Sequence, residues 1–194
     1  LAQVVRHMMD VFSGDDPVLI PSGSCAAMVF HGAKLAFEKE PDLEKVQAFA
    51  ARTWELSDYL VHGLGIVRWE GLFPHRVAFH RSCHTRGSKS AESAIALMES
   101  IEGLELVPVG EYEQCCGFGG TFSVTFPNAS EAIGDLKVKH LLENKPDYLT
   151  AVDMGCGIHI GGIVKKKGHD IELLHVAQVL RNALQNKERF KTKG

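Results

Sequence analysis

Five cysteines carry most of the chemistry this sequence offers: Cys25, Cys83, the adjacent pair Cys115 and Cys116, and Cys156. An odd count with a vicinal pair is unlike the even, spread framework of a secreted disulfide scaffold, so ligand or redox duty is expected. Cys83 follows the apolar run VAFH, the pair follows ELVPV and a short turn, and Cys156 follows YLTAVD. Each therefore falls at the C-terminal end of an expected strand, where ligand crevices of open α/β sheets lie. Cys83 and Cys156 also stand at or just before expected helix N-termini, where the helix dipole and free N–H groups favour the metal-binding thiolate. Four thiols in separate loops converge on this reading. Gly117, Gly119 and Gly120 let the backbone wrap closely around a bound inorganic group. His159, three residues after Cys156, is a candidate fifth ligand or a donor to one.

Alternatives stay open at this level. Cys25 reads equally well as a small buried hydrophobe. Neighbouring side chains in an extended segment point apart, so the pair suits a cluster of several metal atoms, or one ligand beside a bystander. Zinc held by Cys83, one of the pair, Cys156 and His159 is the competing occupant. His75, His80 and His84 cluster around HRSCH, but HExxH is absent and structural or supporting roles are expected. The GFGG turn lacks the Lys and Ser/Thr of a P-loop, and no GxSxG elbow or carboxylate pair stands out, so no catalytic residue is assigned. Asp153 is the one acid beside these loops, with helix capping as its plainer role. Lys165 to Lys167 and the tail KERFKTKG are basic spots expected on a solvated face.

The elements that must position these residues follow from the rest of the chain. Its 194 residues are 45% hydrophobic and 23% charged, the range of a globular protein with a sizeable core. Lys plus Arg number 21 against 24 Asp plus Glu, a net charge of −3 that offers no footprint for nucleic acid. No apolar run reaches the ~18 residues of a membrane helix and the start does not read as a signal peptide, so a soluble, cytoplasmic protein is expected. The opening segment LAQVVRHMMDVF reads as the interior of an amphipathic helix, so the chain is expected to begin inside a longer one.

Apolar spacing predicts a helix to Phe12, a strand over 18–20 and a helical stretch over 26–38. Asp42 should then cap one long helix with Leu43, Val46, Phe49, Ala50, Leu56 and Leu60 on its buried face, ending at Gly63 and Gly65. Strands over 77–80, 105–109, 148–152 and 171–174 alternate with helices over 88–101, from Asn128 or Ser130 to 144, over 157–168 and at the C-terminus. This pattern predicts an α/β fold of parallel-sheet βα units. An internal repeat is also visible: PVLIPSGSCAAM and YLTAVDMGCGIH each run strand, turn, cysteine, apolar segment. If so, Cys25 matches Cys156, and the counterpart of Cys83 falls about 50 positions before residue 1.

The spacing resembles a known family. Cys83, 31 intervening residues, the CCG of Cys115 to Gly117, then 39 residues to Cys156 is similar to the CCG, or cysteine-rich, domain of heterodisulfide reductase B-type subunits. Together PSGSCAAM, HRSCHTRG, EQCCGFGGTFSV and MGCGIHIGG resemble the two-copy lactate-utilisation protein A family of iron-sulfur oxidoreductases. The resemblance implies an internal duplication of a CCG domain with the first copy N-terminally truncated. Residues 1–70 would hold its remainder and a linking helix, and residues 71–194 the complete second copy. It implies Cys83, Cys115, Cys116 and Cys156, with Gly117, around an iron-sulfur cluster of the 4Fe-4S kind, and Cys25 as a ligand left over from the first copy. The heterodisulfide reductase pattern ends in CxxC, whereas His159 and Met28 stand at the fourth position here, which favours four cysteines, or four assisted by His159.

Iron-sulfur clusters exchange single electrons. The function implied is an electron-transfer subunit of an L-lactate oxidation complex, with other iron-sulfur subunits as partners and quinone as an acceptor. The alternatives are a zinc-stabilised, non-redox scaffold and a heterodisulfide-reductase-like catalytic cluster.

Overall fold

The computed structural model describes residues 1–111 and 113–191; the last three residues of the basic tail lie outside the described residues, as does Tyr112. The first part holds α1 (Ala2–Val11), β1 (Val18–Ile20), α2 (Gly23–Ala27), a π turn (Met28–Ala33), α3 (Lys34–Ala36), α4 (Leu43–Ala51), β2 (Thr53–Glu55) and α5 (Leu56–Asp58). The second holds β3 (Arg76–His80), a 3₁₀ turn (Cys83–Thr85), α6 (Ser90–Glu99), β4 (Glu105–Val107), α7 (Phe122–Thr125) and α8 (Pro127–Glu143). It closes with β5 (Tyr148–Ala151), α9 (Met154–Lys166), β6 (Glu172–His175) and α10 (Val176–Lys191).

Strands β4, β3, β5 and β6 lie in that order in one sheet, and every pairing is parallel. Parallel neighbours require crossovers, and the helices between them cover both faces of the sheet. On one face α6 and α10 bury Leu97, Met98, Val179, Leu180 and Ala183 against Val77 and Leu174. On the other, α8 and α9 bury Val138, Leu141, Ile160 and Val164 against Ala78 and Leu149. The chain leaves β3 for β4 on one side and returns to β5 on the other, so the topological switch point, where open α/β sheets take ligands, falls between the C-terminal ends of β3 and β5.

The expected α/β class with parallel βα units is the one observed. The long helix from Asp42 to Leu60 is not. It stops at Ala51, and Thr53, Trp54 and Glu55 pair in parallel with Val18, Leu19 and Ile20. A three-residue strand leaves the helical spacing of the flanking apolar positions intact, while its partner lies over thirty residues away, so periodicity alone passes over it. Asp42 makes no cap hydrogen bond and instead receives two from Arg6. Helix α9 starts at Met154, so Cys156 lies inside its first turn rather than before it.

Candidate metal centre

The strand that ends at His80 delivers the first donor. His80 is 1% exposed, and neither ring nitrogen has a hydrogen-bond partner among the described residues. A buried polar group without a partner is costly, and it marks a place where something else completes the site. Two residues on, buried Ser82 caps the 3₁₀ turn through its Oγ, 3.4 Å from the His84 N–H, and so sets the backbone of Cys83. Cys83 is an exposed residue with Sγ 3.6 Å from His84 Nδ1. Desolvation of its thiol, with Cys115 and Cys116 nearby, pushes its pKa up.

The vicinal pair behaves as adjacent extended residues must. Cys115 is exposed, with its Sγ accepting from the Gly117 N–H at 3.3 Å, while Cys116 is buried and accepts from the Phe118 N–H at 3.4 Å. Gly117 makes this turn possible: its φ is +90°, and a Cβ there would stand 2.5 Å from the Ser130 carbonyl oxygen. Ser130 fastens the same point by donating to the Gly117 carbonyl at 2.8 Å. Cys156 is half-buried in the first turn of α9, its thiol 3.9 Å from Ser82 Oγ.

These elements bring three donors into one place. The ligating atoms of His80, Cys116 and Cys156 all lie within 4.8 Å of one another. A hydrogen bond with the Cys156 thiol is the main cause that lowers the Cys116 pKa, with His80 and the Phe118 N–H adding to it against burial. The same contact, then burial, raises Cys156. The two sulfurs thus share one side of the donor cluster, with Cys83 and Cys115 exposed. Soft thiolates beside an imidazole suit zinc or iron, whose bonds to such donors run about 2.0–2.3 Å. The partnerless nitrogens of His80 fit a bound metal centre, because a ligand bond would satisfy one of them.

Other candidates lie elsewhere. Cys25 is exposed in α2 and stands outside the triad. His159 is also outside it: its Nε2 lies 3.1 Å from where a Cβ on Gly134 would be, and its ring packs 5.9 Å from that of Phe118. His75 sits at the far end of β3 between the rings of Phe73 and Tyr148, a structural place. Asp153 makes no cap hydrogen bond to its own helix α9 but reaches the first turn of α2. It accepts from Ser24 Oγ at 2.6 Å, Ser22 Oγ at 3.0 Å and the Ser24 N–H at 3.0 Å, tying the loop after β1 to the loop after β5. Burial opposes its ionisation, yet hydrogen bonds from Ser24, Ser82 and Ser22 hold its pKa below the ordinary carboxylate value.

Two residues at or beside the donor cluster carry no such signal in the sequence. His80 is one, grouped with its neighbours as structural or supporting although it stands three residues before Cys83. Lys137 is the other: it lies in α8 beneath the CCG loop, only 2% exposed. Among the described residues no helix is long and apolar enough to cross a membrane.

Comparison with known proteins agrees with this geometry. Residues 77–161 match the CCG family, described as a cysteine-rich domain. The chain is 41% identical over 182 residues to "Lactate utilization protein A" of Geobacillus thermodenitrificans (strain NG80-2), covering 93% of this chain and 76% of that protein. It is 38% identical over 181 residues to "Lactate utilization protein A 2" of Bacillus cereus (strain Q1), covering 92% and 75%. It is also 38% identical over 182 residues to "Lactate utilization protein A" of Shouchella clausii (strain KSM-K16), covering 93% and 76%.

Proposed function

From the chain's membership of the lactate utilization protein A family, we propose that it is an iron-sulfur electron-transfer subunit of an L-lactate oxidation system. The observation that carries this reading is the His80, Cys116 and Cys156 triad at the β3/β5 crevice, with Cys83 and Cys115 exposed nearby. An iron-sulfur cluster in this place would supply one-electron exchange at a potential tuned by charge, hydrogen bonds and exposure. Cys83, Cys115, Cys116 and Cys156 would hold it, with His80 at its floor. Burial of His80 and Cys116 keeps water from the deep side, Gly117 lets the backbone lie close, and the exposed cysteines leave the open side accessible to an electron partner. Neither a flavin nor a nicotinamide fingerprint stands in the sequence, so removal of hydride from the hydroxy acid would take place elsewhere or directly at the cluster.

The reading is tested by iron, zinc and acid-labile sulfide content, with a visible spectrum, on protein purified without oxygen. Iron and sulfide in matching amounts, with broad absorbance that bleaches on reduction, are expected. The close spacing of the triad also suits one ion, and this favours zinc as the second reading. Stoichiometric zinc without sulfide would establish that reading and remove the redox one.

Residues 1–70 are further proposed to be the C-terminal remainder of a first copy of the unit that residues 71–194 hold complete. The support is register: Ile20 pairs with Glu55 as Ala151 pairs with His175, and each cysteine follows five residues after the first member of its pair.

A further inference from the structure

Lys137 is a cation in a place that should not hold one. It is 2% exposed, yet among the described residues no carboxylate pairs with it. Of the acids of its own helix, Glu131 pairs with Lys166 and Asp135 with Lys167 at the surface, and Glu143 is exposed at the helix end. Its Nζ instead donates to the Val109 carbonyl at 2.6 Å and to the Gln114 carbonyl at 3.3 Å. These two carbonyls flank the turn that leads into Cys115. Carbonyl dipoles satisfy hydrogen bonds but supply no net charge, and a buried ion needs a counter-ion to be tolerated. Burial draws the lysine's pKa down, and the groups that oppose this are Cys116, Cys115 and Cys156.

We propose that Lys137 is the built-in counter-cation of the cysteine centre. It is a positioning residue that pins both ends of the turn before the vicinal pair and holds one positive charge against the thiolates. A fixed positive charge favours the more negative, reduced state of a redox group, so it raises that group's potential. This inference rests on the iron-sulfur reading above.

The test uses the whole chain, wild type and the variants K137R, K137Q and K137M, each loaded without oxygen. Iron and sulfide are counted, and the midpoint potential is read by a redox titration followed in the visible and by electron paramagnetic resonance. K137R should load and titrate close to wild type. K137Q and K137M should titrate lower, with about a tenfold smaller reduced-to-oxidised ratio at fixed ambient potential, ~59 mV for a one-electron couple. Failure of both neutral variants to fold or load while K137R does so would equally support the requirement for charge. A loaded K137M or K137Q at the wild-type potential, or loss of the centre in K137R as well, would overturn the assignment while leaving the iron-sulfur reading intact. Wild-type protein without iron and sulfide would overturn both.

Discussion

The strand pairs β1–β2 and β5–β6 share a register and a sequence plan, and they end differently. In each, a turn follows the first strand, a short polar residue stands ahead of the helix, and a cysteine enters the first turn: Ser22 and Cys25 in one, Asp153 and Cys156 in the other. Glu55 and His175 occupy the same place at the end of the second strand, and each accepts a backbone N–H from the helix that follows. Yet Cys25 is an exposed residue outside any donor cluster among the described residues, while Cys156 belongs to a triad. The difference lies on the far side of the first strand. β5 has β3 beside it, which ends in His80 and turns into Cys83; β1 has β2 as its only strand neighbour among the described residues. A cysteine at a helix start is thus only a component. The adjoining strand and the CCG loop make it a site.

The largest effect expected from this contrast is all or none. Cys116→Ser removes the buried sulfur of the donor triad, and should abolish iron loading. Cys25→Ser, at the matching place in the other pair, should leave iron content unchanged. Equal iron in the two variants, measured on anaerobically purified protein, would show that the pairs do not differ as described.

Much of this contrast is legible in the sequence, for identifiable reasons. The runs 77–80 and 148–152 are continuous and apolar because both faces of that sheet are covered, and cysteines directly after them point to the crevice. Glycines at 117, 119 and 120 mark a turn, and the positive φ at each confirms the need for them. What escaped depends on contacts distant in sequence. Strand β2 is fixed by β1 and not by its own three residues. Lys137 carries no signal in DLKVKHLL that marks it as buried, and its place is set by the distant carbonyls of Val109 and Gln114. His80 looks like an ordinary strand-end polar residue until its nitrogens are seen to lack partners. Asp153 sits where a capping residue would, but serines from the other half of the chain reach it first.

A second way to sharpen the comparison uses Glu55 and His175. Glu55 is fully buried, and burial raises its pKa to about 7 against the pull of the Ser57 and Asp58 N–H groups. Burial also acts on His175, here lowering the pKa, opposed by the backbone of Val152 and Pro21. Both groups therefore prefer to be neutral in the fold, with opposite consequences for pH. The folded state holds the Glu55 proton more tightly than the unfolded state, whose value is 4.5. Stability from this group is full below that value and is lost as pH rises to about 7, a change of about 3 kcal/mol. Histidine 175 works the other way: its neutral form is favoured, and stability falls as pH drops below its ordinary value of 6.5. Glu55→Gln should remove the first slope. In urea melts at pH 5 and pH 8, the variant should gain on wild type by about 2.5 kcal/mol at the higher pH. A difference that does not change with pH would mean that Glu55 is ionised throughout.

The smallest expected effect concerns the bond that joins the two regions. Asp153 is buried and accepts hydrogen bonds from Ser22, Ser24 and Ser82, so its carboxylate is held across the seam between the β1 and β5 loops. Gly23 marks how tight that seam is, since a Cβ there would stand 2.6 Å from Thr85 Cγ2. Asp153→Asn keeps the shape but replaces charge-assisted bonds with neutral ones and turns an amide N–H₂ toward donors. The cost should be about 1–3 kcal/mol at neutral pH. Because the folded value lies below the unfolded 3.8, the carboxylate's contribution is present above that pH and disappears as pH falls through the folded value. Wild type and variant should therefore converge in acid. Limited proteolysis gives the regional readout: with the tie weakened, cleavage should accelerate in residues 1–63 while the four-stranded half, closed by its own two cores, keeps its wild-type rate. Acceleration spread evenly over both regions would mean that the seam belongs to one cooperative unit and that Asp153 supports the crevice as much as the joint.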